Sequence, residues 1–324
     1  MIGTKVMIIM GSASDKEVAK KAIKQFEELG VGFDIHVASA HRTPEKIKLL
    51  IEQSEADIEV YITIAGLAAH LPGVVAAQTY RPVISVPVNA SLGGLDSLLS
   101  STQTNKTPTA TVGIGRADNA AILATQLLTI NHPELNTKIE DLREKLYNKV
   151  EKSEKEFLDE LTSPQYRKLD IKLDNLHKIN SNSGEEEDKI IILTDNNSSS
   201  QLGILSKTLM DMEINHELVH KEDIPDMYTW LEGNRTTSLY LVVTPYSGVL
   251  AGEVAALTTK PVLALALPKE LYGLDSLLSL INMPPGIPIG VLGLNNPYDA
   301  GLFIGEVLGL RNNEIFENTE QMRG

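Results

Sequence analysis

The sequence predicts an α/β protein made of two tandem units, each with a parallel sheet. Two observations carry that expectation. Short apolar runs alternate with helix-periodic segments, and such alternation closes into a parallel sheet through right-handed crossovers. The chain also repeats itself. Gly94-Leu95-Asp96-Ser97-Leu98-Leu99-Ser100 returns unchanged, 179 residues later, as Gly273-Leu274-Asp275-Ser276-Leu277-Leu278-Ser279. At the same offset, Ala76-Ala77-Gln78-Thr79-Tyr80-Arg81-Pro82-Val83 aligns with Ala255-Ala256-Leu257-Thr258-Thr259-Lys260-Pro261-Val262. A unit of that length is far longer than a solenoid repeat and marks a pair of domains.

In the first unit, the apolar runs at 5–10, 34–38, 60–64, 82–86 and 110–114 read as strands buried on both faces. Between the first two, Val18, Ala22, Phe26 and Leu29 recur at spacings of four, four and three, one face of a helix. Residues 133–161 are charged and helix-favouring. Leu142, Leu146, Val150, Phe157 and Leu161 form a packing stripe there, docking either on its own domain or on a neighbouring subunit. The segment at 181–188 reads as a flexible acidic linker. The second unit repeats the strands at 189–193, 217–219, 238–243, 261–267 and 289–292. The expected organisation is a first domain at 1–162 with its trailing helix, a linker at 163–188, and a second domain at 189–324.

Composition narrows the function. The 324 residues suit two domains, and 42% apolar with 22% charged residues is ordinary globular usage. A net charge of −14 argues against a nucleic-acid partner. It leaves a small anionic substrate open, because a few local donors can hold one phosphate. The absence of cysteine removes disulfides, thiolate catalysis and cysteine metal sites. No apolar run approaches 18 residues, so no membrane partner is expected. The N-terminal run, broken by Gly11 and Ser12, reads as a buried strand rather than a signal peptide. A cytoplasmic location follows from that absence of signals.

Ligands of parallel sheets bind beyond the carboxyl ends of the strands. Gly11-Ser12-Ala13-Ser14-Asp15 follows the first strand and opens a helix. Its free N–H groups suit an anion, and its hydroxyls and carboxylate equally suit helix capping. Ser39-Ala40-His41-Arg42-Thr43-Pro44 follows the second strand. Arg42 offers a planar fork of donors for phosphate, and His41 exchanges protons near neutral pH. Thr43-Pro44 reads as a helix start, which leaves the adjacent His and Arg unexplained. Ala65-Gly66-Leu67-Ala68-Ala69-His70-Leu71-Pro72-Gly73 follows the third strand. Its small residues admit a flat ligand, and His70 is either a ligand contact or a satisfied structural histidine. His36, His132, His177, His216 and His220 receive no role. No spacing reads as a metal site. Gly113-Ile114-Gly115-Arg116 lacks the third glycine of a dinucleotide fingerprint and is weak evidence for nicotinamide. The residues alone point to a phosphate-bearing small molecule and proton transfer by histidine.

Taken together, Gly11-Ser12-x-Ser14-Asp15, Ser39-Ala40-His41-Arg42-Thr43-Pro44, Ala68-Ala69-His70-Leu71-Pro72-Gly73 and Gly94-x-Asp96-Ser97-Leu98 resemble the N5-carboxyaminoimidazole ribonucleotide mutase family of purine biosynthesis. That family includes the phosphoribosylaminoimidazole carboxylase catalytic subunits. The resemblance is strong over 5–130 and weak over 189–310. It implies flavodoxin-like three-layer domains, a habit of assembling octamers, and a substrate carrying an aminoimidazole, a ribose and a 5′-phosphate. By matching positions, Ser12, Asp15, Ser39 and Arg42 hold phosphate and ribose. His41 is the general acid–base, and Ser14, Ala68 and His70 line the pocket. The partners are then the ribonucleotide and carbon dioxide, with no cofactor or metal. Eight domains at two per chain imply a homotetramer.

The sequence motifs resemble the mutase branch. Direct carboxylation of aminoimidazole ribonucleotide by free carbon dioxide is the alternative. A noncatalytic nucleotide-binding protein on the same fold is the more remote one. Two departures stand out. The stretch before His70 is two residues shorter than the family's glycine-rich form, and the family's Met-Pro-x-Gly-Ile-Pro loop is reduced to Thr104-Asn105-Lys106-Thr107-Pro108. The second unit keeps that loop as Met283-Pro284-Pro285-Gly286-Ile287-Pro288 but lacks the His–Arg pair. Val249 stands there in place of His70, and Asn196, Ser198 and Ser199 stand near the places of Ser12, Ser14 and Asp15. No catalysis is expected from the second unit's own motifs.

Overall fold

The computed structural model describes residues 2–161, 188–195 and 200–324. The expected linker, apart from Asp188, and Asn196, Ser198 and Ser199 lie outside the described residues. The first half runs β1 (Ile2–Met10), α1 (Lys16–Leu29), β2 (Val31–Val37), α2 (Pro44–Ser54), β3 (Val60–Ala65), α3 (Leu71–Ala76), β4 (Val83–Pro87), α4 (Leu95–Thr102), β5 (Ala110–Thr111), α5 (Ala117–Leu128) and α6 (Asn136–Asp159). The second runs β6 (Lys189–Thr194), α7 (Ser200–Asp211), β7 (Asn215–His220), α8 (Met227–Gly233), β8 (Leu239–Thr244), α9 (Val249–Leu257), β9 (Val262–Ala266), α10 (Leu274–Ile281), β10 (Gly290–Leu294), α11 (Pro297–Leu308) and α12 (Asn313–Arg323).

The strands fall where the apolar runs place them, with two informative shifts. β2 begins at Val31, earlier than expected, because Gly30 ends α1 in the left-handed region at φ 72° and the chain turns straight into the sheet. β5 is only two residues long, because the chain bends away after Val112, whose N–H still reaches the Ser85 carbonyl at 3.0 Å.

Among the described residues, the strands form one ten-stranded sheet in the order β2-β1-β3-β4-β5-β10-β9-β8-β6-β7. Within each half every pairing is parallel. The halves meet edge to edge through one antiparallel pairing, Thr111 opposite Val291. The repeat offset becomes 180 after the one extra residue of the Met283–Pro288 loop, so these two residues are equivalent and the seam is self-complementary, like a two-fold dimer contact. The two sheets expected from the sequence are thus one continuous sheet. An apolar cluster continues across it, from Val6 and Ile8 through Leu123 and Leu127 to Leu292 and Phe303.

The last helix of each half sends an arginine into the other half. α6 packs on the first half, where Lys145 Nζ meets Glu28 Oε1 of α1 at 2.8 Å, and its Arg143 Nη2 donates to the Ala255 carbonyl of the second half at 2.8 Å. α12 reaches back, where Arg323 Nη1 donates to the Thr79 carbonyl at 2.7 Å. Of the stripe expected on α6, Leu142 is buried and Leu146 packs against the core, whereas Val150, Phe157 and Leu161 are exposed. The loops before β5 and β10 are exchanged in the same sense. Asn119 at the start of α5 takes the second half's loop, donating to the Pro284 carbonyl at 3.0 Å and accepting from the Gly286 N–H at 2.9 Å. Asp299 on α11 takes the first half's loop, accepting from Thr104 Oγ1 at 2.7 Å and the Lys106 N–H at 3.0 Å.

Gly290 opens β10 at the seam, where a Cβ would lie 2.8 Å from Leu263 Cδ2, 2.9 Å from Leu123 Cδ2 and 3.2 Å from Ala110 Cβ. Both halves crowd this point, so Gly290→Val is expected to lower stability by about 1–3 kcal/mol through overpacking. Thermal or denaturant unfolding checks this, and an unchanged midpoint would contradict a close-packed seam.

Candidate active site

The carboxyl ends of β1, β2 and β3 bring the three motif segments of the first half to one edge of the sheet. After β1 the chain turns through Gly11, whose N–H donates to the Ile64 carbonyl at 2.9 Å. Ser12 then caps a short 3-10 turn, its Oγ accepting from the Ser14 N–H at 3.2 Å. The Ser14 hydroxyl lies 2.8 Å from Ser12 Oγ and 3.2 Å from Asp15 Oδ1. Burial pushes the Asp15 carboxyl up, and the Ser14 hydrogen bond draws it partly back down. Three oxygen-bearing side chains therefore cluster at the N-terminus of α1, where a ligand's hydroxyls or anionic oxygens find donors.

After β2, Ser39 closes a turn with Thr43. The Ser39 N–H donates to Thr43 Oγ1 at 2.8 Å, and the Thr43 N–H donates to the Ser39 carbonyl at 2.9 Å. This turn starts α2 at Pro44 and leaves His41 and Arg42 at its exposed apex. Arg42 folds back across the edge, with Nε 3.4 Å from Ser39 Oγ and Nη2 3.4 Å from the Gly11 carbonyl. These long contacts orient the guanidinium and leave donors for an anion between the β1 and β2 loops.

The shortened stretch after β3 closes on itself. The Ala69 N–H donates to the Leu67 carbonyl at 2.9 Å, and the His70 N–H to the Ala68 carbonyl at 2.7 Å. Gly66 has no room for a side chain, since a Cβ would lie 2.8 Å from that of Ala90. Leu67 is held at φ 58°, the left-handed region that a branched residue rarely adopts. The sequence motifs miss both constraints, although the two missing residues are their signal. The loop delivers His70 to the start of α3, where its Nδ1 lies 3.0 Å from His41 Nε2. A hydrogen bond there needs an N–H on one ring and a bare nitrogen on the other, so the contact couples the tautomers of the two histidines. The structure therefore brings together Ser12, Ser14, Asp15, Ser39, His41, Arg42 and His70, with Ala68 exposed in the loop beside them.

The corresponding end of the second half differs. Asp195 accepts from Thr244 Oγ1 at 3.0 Å, and Lys269 covers the Tyr246 ring at 3.8 Å. Asp226 caps α8 through the Thr229 N–H at 2.8 Å, as Thr43 stands before α2, and Ile224-Pro225 precede it where His41-Arg42 precede Thr43. Val249 opens α9 where His70 opens α3. Among the described residues there is no group of three metal-ligating side chains, and no helix is long and apolar enough to cross a membrane.

The AIR carboxylase family model matches residues 5–149 and again residues 198–324. The chain belongs to the AIR carboxylase family. It carries the family twice over, which accounts for the repeat. A relative from Methanothermobacter thermautotrophicus, named a probable N5-carboxyaminoimidazole ribonucleotide mutase, is 38% identical over 98% of this chain and 97% of its own length. One of the same name from Methanobrevibacter smithii is 34% identical over 98% of this chain and 97% of its own. The N5-carboxyaminoimidazole ribonucleotide mutase of Methanocaldococcus jannaschii is 53% identical over 45% of this chain and 92% of its own length. AIR carboxylase relatives thus align both with the whole duplicated chain and with less than half of it.

Proposed function

We propose that the chain converts N5-carboxyaminoimidazole ribonucleotide to 4-carboxy-5-aminoimidazole ribonucleotide in purine biosynthesis. The observation that carries this reading is the His41–His70 pair beside Arg42, in a chain whose relatives carry that name from end to end. We assign turnover to residues 1–162 and a supporting role to residues 189–324.

The site's parts suit the chemistry. Arg42, with Ser12, Asp15 and Ser39, holds the phosphate and ribose. The carbamate C–N bond breaks, His41 supplies a proton to the departing nitrogen, and carbon dioxide stays beside the ring. The enamine-like ring carbon attacks it, and His41 recovers a proton from that carbon as aromaticity returns. The proton count closes on one histidine, with no cofactor in the scheme. A positioned histidine contributes roughly 10²–10⁴-fold by proton transfer, and confinement of carbon dioxide supplies much of the rest through proximity. Ser14, Ala68 and His70 form the wall next to His41.

The second half supports this site by position. β10 runs antiparallel to β5, so the loop that enters β10 stands at the carboxyl end of β5, the edge that carries His41. We assign the intact Met283–Pro288 loop to the end of the sheet that carries the catalytic motifs, and the reduced Thr104–Pro108 loop to the end that lacks them. Direct carboxylation by free carbon dioxide is the second reading, and the same ring-carbon step would serve it.

Two variants test the assignment. His41→Asn should bind substrate but lose at least roughly 10²-fold in turnover, and near-normal turnover would reject His41. Arg42→Ala should weaken the phosphorylated substrate while leaving a dephosphorylated analogue unaffected. Four chains bring the family's eight units together under closed symmetry. We expect a tetramer by light scattering, and a stable monomer or eight chains would reject it.

A further inference from the structure

We infer that Arg323, at the far end of the second half, is a positioning residue for the first-half site. It clamps α3, the helix that presents His70. The inference rests on the proton-transfer reading above.

α3 is six residues long, too short to be stable by its own hydrogen bonds. Its N-terminal end carries His70 and its C-terminal end must be fixed from outside. Arg323 does this. Nη1 donates to the Thr79 carbonyl at 2.7 Å, and Nη2 donates to the carbonyl of Ala76, the last residue of the helix. The same Nη1 lies 2.5 Å from Glu306 Oε1, and both side chains are buried, at 6% and 1% exposure. The guanidinium also stacks 4.8 Å from the Tyr80 ring. A planar fork held by a carboxylate and a ring has one orientation, so the carbonyls it grips are fixed in place. Fixing α3 fixes where His70 Nδ1 meets His41 Nε2.

The repeat supplies the comparison. Arg143 is the equivalent of Arg323, 180 residues earlier, and it grips the equivalent carbonyls, Ala255 at 2.8 Å and Thr258 at 3.4 Å, behind α9. There Gln126 stands in place of Glu306. Arg143 Nε and Nη1 and Gln126 Oε1 are buried with no hydrogen-bond partner, as is Glu306 Oε2 in the other clamp. Gln126 Nε2 instead donates to the Thr259 carbonyl at 3.0 Å. The guanidinium with an acidic partner stands behind the helix that bears a site histidine. The one without stands behind the helix that begins at Val249.

The test makes the same change at both places. Arg323→Lys keeps the positive charge beside Glu306 but gives up the two-armed grip. Arg143→Lys does the same behind α9. For folded protein, verified by circular dichroism, Arg323→Lys should lower kcat roughly tenfold with little change in KM, because a small misplacement of a site group is costly. Arg143→Lys should leave both constants unchanged. In ligand-free protein, the imidazole C–H resonance of His70 should shift in Arg323→Lys and not in Arg143→Lys. If Arg323→Lys does not fold, Glu306→Gln, which copies the Arg143–Gln126 arrangement, is read by the same two measurements. An unmoved His70 resonance with unchanged turnover, or equal losses from the Arg143 variant, would overturn the inference. If the wild type does not isomerise the ribonucleotide, the functional reading fails while the resonance still decides the clamp.

Discussion

The pairing of β5 with β10 is the constraint on which the rest of the molecule depends. A five-stranded parallel sheet ends in an edge with unpaired backbone groups, a liability when it is left open. Here each half covers the other's edge through Thr111 and Val291. Because that contact is antiparallel and self-complementary, it sends the carboxyl ends of the two halves to opposite sides. It also places each half's entering loop at the carboxyl end of the other half's strands, held by Asn119 in one direction and Asp299 in the other. The reciprocal reach of Arg143 and Arg323 follows from the same two-fold relation.

Once duplication makes the two halves inequivalent, this geometry lets them diverge in a complementary way. Motifs at the carboxyl ends of β1, β2 and β3 matter only for the first half's edge. The loop entering β10 and the Arg323 side chain on α12 belong to the second half but stand against the first, on Asn119 and on the Ala76 and Thr79 carbonyls. The second half could lose its His–Arg pair and spend Asp226 on a helix cap, while keeping Met283–Pro288 and the Arg323–Glu306 pair. The first half could lose its own loop to Thr104–Pro108, where Lys106 sits at φ 56° in place of Gly286.

Much of the site was legible in the sequence because its code is local. A strand end followed by small residues and a helix start lies at the carboxyl end of the sheet whatever the partner, so the segments of Ser12, His41 and His70 were placed from their neighbours, while the individual roles of Ser12, Asp15 and Ser39 came from the family resemblance. The seam was not legible. β5 is two residues long, and nothing in Ala110-Thr111 names its partner. The His41–His70 contact joins two motifs 29 residues apart, and each motif read singly left the role of His70 open. The Arg323 clamp binds carbonyls more than 240 residues away, which no periodicity reports. Its one sequence signal is the repeat, since Arg143 and Arg323 are equivalent once the extra residue of the Met283–Pro288 loop is counted. The α6 stripe was legible in its inner part only. Leu142 packs within the chain, whereas the apolar spacing continues to Phe157, which is 61% exposed in the single chain.

The central claim is that two halves of one chain make a single working site. Isothermal titration of the carboxylated aminoimidazole ribonucleotide product into the full chain measures this directly. The account predicts one binding event per chain, abolished by changes at Arg42 and untouched by changes at Tyr246 or Lys269. Two equal sites per chain would contradict it.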